Sequence, residues 1–212
     1  VHGGTAILKS ESPLGPFVMY SDRQITPKDW ECIDGTFYVS PDGTPYMVFV
    51  HEWVQISDGS ICAVELSRDL KEAVSEPVTL FHASEAVGWV QTITNKNRPG
   101  LHYVTDGPYL YRTGGGRLIM LWSSFSDKGG YTTGYARSLS GDIQGPWIQE
   151  QQPLYAMDGA HSMLFTTFGG QLMMALHCPN RHEAKRILLF EMEESFDGIH
   201  IVNEVTGNWY NN

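Results

Sequence analysis

One unit of sequence recurs three times along this chain, and it restricts the fold more than any other feature. Each copy has a short polar stretch, an apolar run, a turn containing glycine and a second apolar run. The copies are ECIDGTFYVSPDGTPYMVFVHE from Glu31, YVTDGPYLYRTGGGRLIMLWSS from Tyr103 and AMDGAHSMLFTTFGGQLMMALHC from Ala156. Short apolar runs joined by a glycine turn are typical of β-hairpins. The repeat therefore predicts three similar hairpins.

A second kind of hairpin is predicted between these units. Its copies begin at Thr5 and Thr133, with a looser copy from Ile61, and a fourth pair flanks Phe196-Asp197-Gly198. Frequent aromatic and β-branched residues, 22 glycines and 11 prolines favour strands and turns over long helices. An inner and an outer hairpin together make a four-stranded blade, so we expect an all-β propeller.

The spacing of the units indicates how many blades are present. The polar starts of the three inner hairpins, at Asp34, Asp106 and His161, are 72 and 55 residues apart, somewhat more than the roughly 40–45 residues of a minimal blade. Residues 1–25 supply only an outer half. Because propellers have about 4–8 blades, residues 1–212 are expected to form a single propeller domain that lacks its N-terminal blades.

Charge and composition exclude several partners. A net charge of −10 argues against nucleic acid and anionic lipid, and no apolar stretch approaches the roughly 20 residues of a membrane span. Cys32, Cys62 and Cys178 are too scattered for a disulfide framework and are predicted to be buried thiols. The sequence contains no visible export signal.

The candidate functional residues lie where first inner strands begin and second inner strands end, since these points meet at one end of a propeller channel. They are Asp34, His51, Glu52, Asp106, Ser123, Ser124, His161 and His177, with Trp53, Trp122 and Tyr131 as candidate channel aromatics. Carboxyls and imidazoles beside aromatic rings suit carbohydrate, because sugar faces stack on rings and acids act on the glycosidic oxygen.

Structural explanations compete with these assignments. Asp-Gly is a common turn dipeptide, although its matched placement at Asp34 and Asp106 favours a function. His102, His182 and His200 are assigned structural roles, and Trp53, Trp89 and Trp122 could equally fill the wedges between blades. Neither an HExxH or Cys/His zinc pattern nor a GxSxG elbow occurs in the sequence.

The segments IDGTFYVSPDGTPYMVF, TDGPYLYR, ARS…GPW and DGAHSMLF…LHCPN resemble glycoside hydrolase family 43, in order, from Gly4 to Glu194. The resemblance implies a five-bladed propeller that hydrolyses α-L-arabinofuranosyl or β-D-xylosyl linkages of plant polysaccharides with inversion. It implies that Asp34 tunes the acid and orients substrate. Asp106 falls where the family usually has its acid Glu, and Glu52 is the alternative acid.

The same resemblance implies further site residues. His161 matches a histidine that in many relatives helps to hold calcium through water, and Arg186, or Arg181, lies near a substrate-binding arginine. No organic cofactor is expected. The general base belongs to the first blade, upstream of Val1, so the chain alone is expected to be inactive.

The predicted partner is an oligosaccharide or polysaccharide, and a secreted or periplasmic location is expected over a cytoplasmic one. A non-catalytic carbohydrate-binding propeller is the alternative function.

Overall fold

The computed structural model of the chain describes residues 3–128, 130–181, 183–196 and 198–206. The described residues form an all-β fold with one single-turn α-helix, α1 (Trp53–Ile56), and a short 3₁₀ helix at Ala83–Glu85. The strands, in chain order, are β1 (Leu8–Lys9), β2 (Val18–Met19), β3 (Cys32–Val39), β4 (Pro45–His51), β5 (Ser60–Glu65), β6 (Val78–His82), β7 (Ile93–Asn95), β8 (Arg98–His102), β9 (Asp106–Arg112), β10 (Leu118–Ser126), β11 (Gly130–Ser138), β12 (Trp147–Gln149), β13 (Ala160–Thr166), β14 (Leu172–Cys178), β15 (Arg186–Glu194) and β16 (Ile199–Glu204).

Most strands pair in chain order into three antiparallel four-stranded sheets: β3-β4-β5-β6, β9-β10-β11-β12 and β13-β14-β15-β16. We call them blades A, B and C. Strands β1 and β2 form a separate pair. The predicted inner and outer hairpins are therefore present in three four-stranded sheets, and β1 and β2 form the pair that residues 1–25 were expected to supply. At the inner turns Gly43, Gly116 and Gly170 have φ of 84°, 84° and 86°, a region that glycine adopts without steric cost.

Alternation along each strand sends side chains to both faces of a blade, and blade B packs on a neighbouring blade with each face. In β10, Met120 and Trp122 belong to the core cluster shared with blade A, whereas Ile119 and Leu121 belong to the cluster shared with blade C. The A–B wedge is rich in aromatic rings, with Trp122 lying 5.4 Å from Phe81 and 4.9 Å from Trp89, centroid to centroid. Packing of the sheets in this way fixes how the ends of the inner strands face one another.

A bulge interrupts each inner pair close to the start of its first strand. The register shifts between Ile33 and Thr36 in blade A, between Asp106 and Tyr109 in blade B, and between Ala160 and Met163 in blade C. A bulge bends its strand and re-aims a side chain. The three bulges therefore control what each blade presents at this end of the sheets.

One hairpin was not predicted. Strands β7 and β8 pair with each other between blades A and B, which accounts for the longer interval before Asp106. The described residues contain no helix long and apolar enough to cross a membrane.

Candidate active site

The starts of the three inner strands bring Asp34, Asp106 and His161 together. One ligand atom from each side chain lies within 4.8 Å of the others. His161 Nε2 is 3.4 Å from Asp34 Oδ2, and the Gly107 backbone N–H donates to the same oxygen at 2.9 Å. Three blades thus contribute to one cluster, as the sequence analysis expected.

The bulges determine which residue projects from each blade. Asp34, Gly107 and His161 occupy the same bulge position, and all three adopt left-handed backbone, with φ of 55°, 51° and 54°. Aspartate, glycine and histidine are among the residues that tolerate this region. The prediction that the Asp-Gly pairs at Asp34 and Asp106 are matched is wrong by one position. Asp34 aligns with Gly107, because Asp106 pairs with Ser123 just before its bulge, where blade A has Ile33 paired with Val50.

Asp106 has the most perturbed carboxyl of the cluster. Burial raises the pKa of Asp106 to about 8, and the charges of Asp34 and Glu52 add to the rise, while a hydrogen bond from Tyr131 opposes it. The Tyr131 hydroxyl donates to Asp106 Oδ2 at 2.7 Å. A carboxyl that stays protonated near neutral pH is the form that a general acid requires.

Asp106 opens into a cavity of about 400 Å³ that is also lined by Phe125, Tyr131, His161, His177, Asn180 and Lys185. The rings of Tyr131 and His177 stack with centroids 5.7 Å apart. Burial lowers the pKa of His177, which favours a neutral imidazole here. The cavity therefore combines a carboxyl, two imidazoles, an amide and an ammonium group beside aromatic rings, and such convergent polar groups are typical of a ligand-binding site.

A family model described as glycosyl hydrolases family 43 matches residues 1–198 of the sequence. The chain belongs to this family. Its structure is similar to that of an endo-arabinase from Bacteroides thetaiotaomicron VPI-5482, at 42% identity and a TM-score of 0.86, with 91% of this chain and 67% of that chain covered.

Two further solved structures are similar in fold. One is a thermostable family-43 glycoside hydrolase, at 20% identity and a TM-score of 0.72, with 93% of this chain and 66% of that chain covered. The other is an endo-1,4-beta-xylanase from Bacteroides thetaiotaomicron VPI-5482, at 22% identity and a TM-score of 0.70, with 92% and 65% covered. This family 43 chain thus spans about two-thirds of the length of the solved structures it matches. Among curated proteins no match to the chain is found.

Glu52, the alternative acid, lies directly after β4 and precedes α1. Burial raises its pKa, and the charge of Asp34 contributes. Glu52 also raises the pKa of Asp106, so the two carboxyls interact. Asp106 lines the cavity, whereas Glu52 and Asp34 are not among its described lining residues, and Asp34 lines a neighbouring cavity with Gly107 and His161. This placement favours Asp106 over Glu52 as the candidate acid.

Three predicted substrate-binding residues are buried. Trp122 is fully buried in the A–B wedge, where its indole N–H donates to Gln149 Oε1 at 3.0 Å, so the prediction that it lines the channel is wrong. Ser123 is also fully buried, and its hydroxyl oxygen accepts the His161 backbone N–H at 3.0 Å. Ser123 thus supports the cluster from behind. Tyr131 is 3% exposed but lines the cavity.

Other predicted residues lie beside the cavity or away from it. His51 is buried, stacks on Trp30 at 4.1 Å and is hydrogen-bonded to Gln55. Trp53 packs against His102, and the centroids of the two rings are 5.1 Å apart. The described contacts do not bring either His51 or Trp53 to the cavity. His177 does line it, as predicted.

The arginine assignments point to the correct loop but not to the residue that lines the cavity. Arg186 is exposed at the start of β15 and donates to the Lys185 carbonyl, and Arg181 is exposed. Lys185 and Asn180 reach the cavity instead. The only sequence signal for them is the polar loop PNRHEAK after β14.

The histidines that were assigned structural roles have local contacts. His102 is buried and bonds to the Arg98 carbonyl at 3.1 Å, and His200 bonds to Ser195 Oγ at 2.6 Å. His182 lies outside the described residues.

Asp158, which sequence reasoning did not single out, fixes the back of the site. Its carboxylate accepts the backbone N–H of Tyr131 at 3.2 Å and that of Asn180 at 3.1 Å. It thereby ties β11 of blade B to the loop after β14 of blade C. Its signal was the Asp-Gly dipeptide at Asp158-Gly159, in the polar stretch that opens the third inner hairpin unit.

The donor set matches a directly bound calcium ion poorly. Ca²⁺ prefers six to eight oxygen ligands, whereas the cluster offers two carboxyls and one imidazole. Asp34 Oδ2 already accepts the Gly107 N–H, and the raised pKa of Asp106 disfavours its anionic form. No catalytic step is therefore derived through calcium, and a contact of His161 through water stays a prediction.

Proposed function

We propose that this chain provides the acid side of an inverting glycosidase site that cleaves α-L-arabinofuranosyl linkages. The observation that supports it most is the cluster of Asp34, Asp106 and His161, of which Asp106 and His161 line the cavity, with the pKa of Asp106 raised to about 8. The 42% identity to an endo-arabinase favours an arabinofuranosyl over a xylosyl substrate.

In the proposed reaction Asp106 protonates the oxygen that leaves with the departing sugar. Its carboxyl must be neutral before this step, and the raised pKa keeps it neutral up to about pH 8. As the C–O bond breaks, the proton moves to the leaving oxygen and Asp106 becomes an anion. The hydrogen bond from Tyr131 to Oδ2 stabilises that anion as it forms.

Asp34 is proposed to orient the sugar and to assist Asp106. Its side chain is 23% exposed, so it can reach a ligand, while the Gly107 N–H holds Oδ2 in place. Its charge also contributes to the raised pKa of Asp106. Lys185 and Asn180 are proposed to bind sugar hydroxyls at the rim, since both line the cavity.

Inversion also needs a carboxylate base roughly 6.5–9.5 Å from the acid, to leave room for the attacking water. No carboxylate among the described residues is assigned as this base. A secreted or periplasmic location is also proposed.

A non-catalytic carbohydrate-binding role is the second candidate. It is favoured by Asp106 standing where relatives usually have Glu, since Asp is shorter by one methylene, about 1.3–1.5 Å of reach. A site that keeps its cavity but fails to reach the glycosidic oxygen would bind sugar without cleaving it.

The full-length protein distinguishes these functions when it is incubated with linear arabinan and with an aryl arabinofuranoside. We expect hydrolysis with inversion at the anomeric carbon, observed by proton NMR. The Asp106→Asn variant should lose about 10²–10⁴-fold in kcat while retaining arabino-oligosaccharide binding by calorimetry.

Glu52→Gln tests the alternative acid, and Asp69→Asn is the matched control, because Asp69 is an exposed carboxylate in the β5–β6 loop. Loss of activity in Glu52→Gln with retention in Asp106→Asn would transfer the acid role to Glu52. Binding without turnover in the unaltered protein would establish the binding module instead.

A further inference from the structure

Tyr131 is hydrogen-bonded to the candidate acid, Asp106. Its hydroxyl donates to Asp106 Oδ2 at 2.7 Å, and its side chain is almost completely buried. Burial and the neighbouring Asp106 raise the pKa of Tyr131, so the phenol keeps its proton. Its backbone is held by Asp158 and its ring is flanked by Phe125 and His177. The ring therefore has little freedom to move.

A second hydroxyl lies behind Tyr131. Ser123 is fully buried, and its oxygen accepts the backbone N–H of His161 at 3.0 Å. Ser123 also lowers the pKa of Tyr131, which opposes the larger rise caused by burial and by Asp106. Ser123 is therefore a second polar neighbour of the hydroxyl that donates to Asp106.

The Tyr131 hydroxyl has one proton, and it donates that proton to Asp106 Oδ2. The Ser123 oxygen accepts the backbone N–H of His161, so the Ser123 hydroxyl proton stays available to a neighbouring oxygen. In this arrangement Asp106 Oδ2 is an acceptor.

We propose that Tyr131 is a positioning residue that keeps the acidic proton of Asp106 on Oδ1. A neutral carboxyl carries one proton, and an oxygen that accepts from Tyr131 is the poorer place for it. A site with a shortened acid gains from this arrangement, because a proton shared between two oxygens faces the substrate for only part of the time.

The proposal deepens the proposed function, since it assigns the orientation of the acid. Its first test, however, needs no activity. Infrared difference spectra between the unaltered protein and Asp106→Asn, in samples with and without ¹³C-labelled aspartate, isolate the C=O stretch of the protonated Asp106 carboxyl at pH 6. A carbonyl oxygen that accepts a strong hydrogen bond has a weakened C=O bond and a lowered frequency.

Tyr131→Phe should therefore move this band to higher frequency. Ser123→Ala should move it in the same direction by less, because the Tyr131 hydroxyl then loses a polar neighbour. Tyr111→Phe is the matched control: Tyr111 donates to Glu194 Oε1 at 2.6 Å, a tyrosine–carboxyl pair at the opposite end of blade B. It should leave the band unchanged.

The kinetic test uses the full-length protein. Tyr131→Phe should lower kcat about 10-fold, the value of one hydrogen bond of about 1.4 kcal/mol, with little change in KM. A merely structural role would change KM or thermal stability and leave the infrared band in place.

An unshifted band in Tyr131→Phe, in a protein that remains folded by circular dichroism, would overturn the proposal. So would a band that shifts equally in Tyr111→Phe. If the band shifts as expected and no variant hydrolyses arabinan, the positioning role stands and the proposed hydrolase function fails.

Discussion

Asp34 and Asp106 begin neighbouring blades with the same dipeptide, yet the two carboxyls have different surroundings. Asp34 lies on a bulge in left-handed backbone and accepts a backbone N–H. Asp106 lies one position before its bulge, accepts a tyrosine hydroxyl, and has its pKa raised to about 8. The same dipeptide is displaced by one residue relative to the bulge in blade B, and the two aspartates therefore have different chemical environments.

The difference has a physical origin in strand geometry. Successive residues of a strand point to opposite faces, so a residue before a bulge and a residue on it meet different neighbours. In blade B the bulge position is left to Gly107, and a side chain there would lie 3.1–3.3 Å from His161. Asp34 and His161 can approach each other because blade B contributes no side chain between them.

The largest expected effect is on the pH dependence of stability. A carboxyl whose folded pKa is raised stabilises the fold fully below its unfolded pKa of about 4, and this contribution is lost as pH rises towards 8. Asp106→Asn has no such contribution to lose. The free energy of unfolding of Asp106→Asn, relative to that of the unaltered protein, should therefore rise by about 2–5 kcal/mol between pH 4 and pH 8. Urea unfolding of both proteins across this range measures the gain.

Asp69→Asn serves as the control for that experiment. The pKa of Asp69 is lowered by hydrogen bonds from Ser67 and the Lys71 backbone, so its contribution is constant above pH 4. A constant difference between Asp106→Asn and the unaltered protein would remove the contrast drawn between Asp106 and Asp34.

The next effect concerns the role of Asp34. Asparagine tolerates left-handed backbone and keeps an oxygen for the Gly107 N–H, so Asp34→Asn should leave the melting temperature nearly unchanged. We expect kcat/KM for an aryl arabinofuranoside to fall roughly 10–100-fold, mainly through KM, since a positioning contact of about 1.4–2.7 kcal/mol is lost. A loss confined to kcat would give Asp34 a share in proton transfer.

A smaller effect is expected at the bulge of blade B. Gly107→Ala places a side chain at φ of 51°, which costs about 1–2 kcal/mol, and brings its Cβ within 3.3 Å of His161. We expect lower stability in urea and a weakened contact between His161 and Asp34. If Gly107→Ala shows no loss of stability in urea, the blades can move apart at this point without cost.

The smallest effect is expected from Gly43→Ala. Gly43 has φ of 84°, and a Cβ added to it would have no atom within 4 Å. The substitution isolates the backbone cost, about 1–2 kcal/mol, and should leave activity unchanged. A Gly43→Ala penalty as large as that of Gly107→Ala would mean that crowding at His161 contributes nothing.

The hairpins could be predicted because their signals are local. Alternation over a few residues and glycine at 43, 116 and 170 define each unit without knowledge of the rest of the chain. The bulge register could not, because it depends on which residues pair across β9 and β10, and the matched Asp-Gly pattern suggested an alignment that the pairing does not have.

Burial of individual aromatic residues was also beyond the sequence. Trp122 and Tyr131 both follow the pattern of channel residues, but Trp122 points into the wedge beside Phe81 and Trp89. Lys185 and Asn180 reach the cavity from a loop with no periodicity. Convergence of Asp34, Asp106 and His161, in contrast, followed from the repeat alone.

The left-handed bulge position can hold different residues without a change in the surrounding fold. Aspartate, glycine and histidine occupy it in three successive blades, and the surrounding sheets and wedges keep the same plan. Exchanging the residues at positions 34, 107 and 161 should therefore change the functional groups of the cluster and leave the hydrophobic core unchanged. Each new residue must tolerate left-handed backbone.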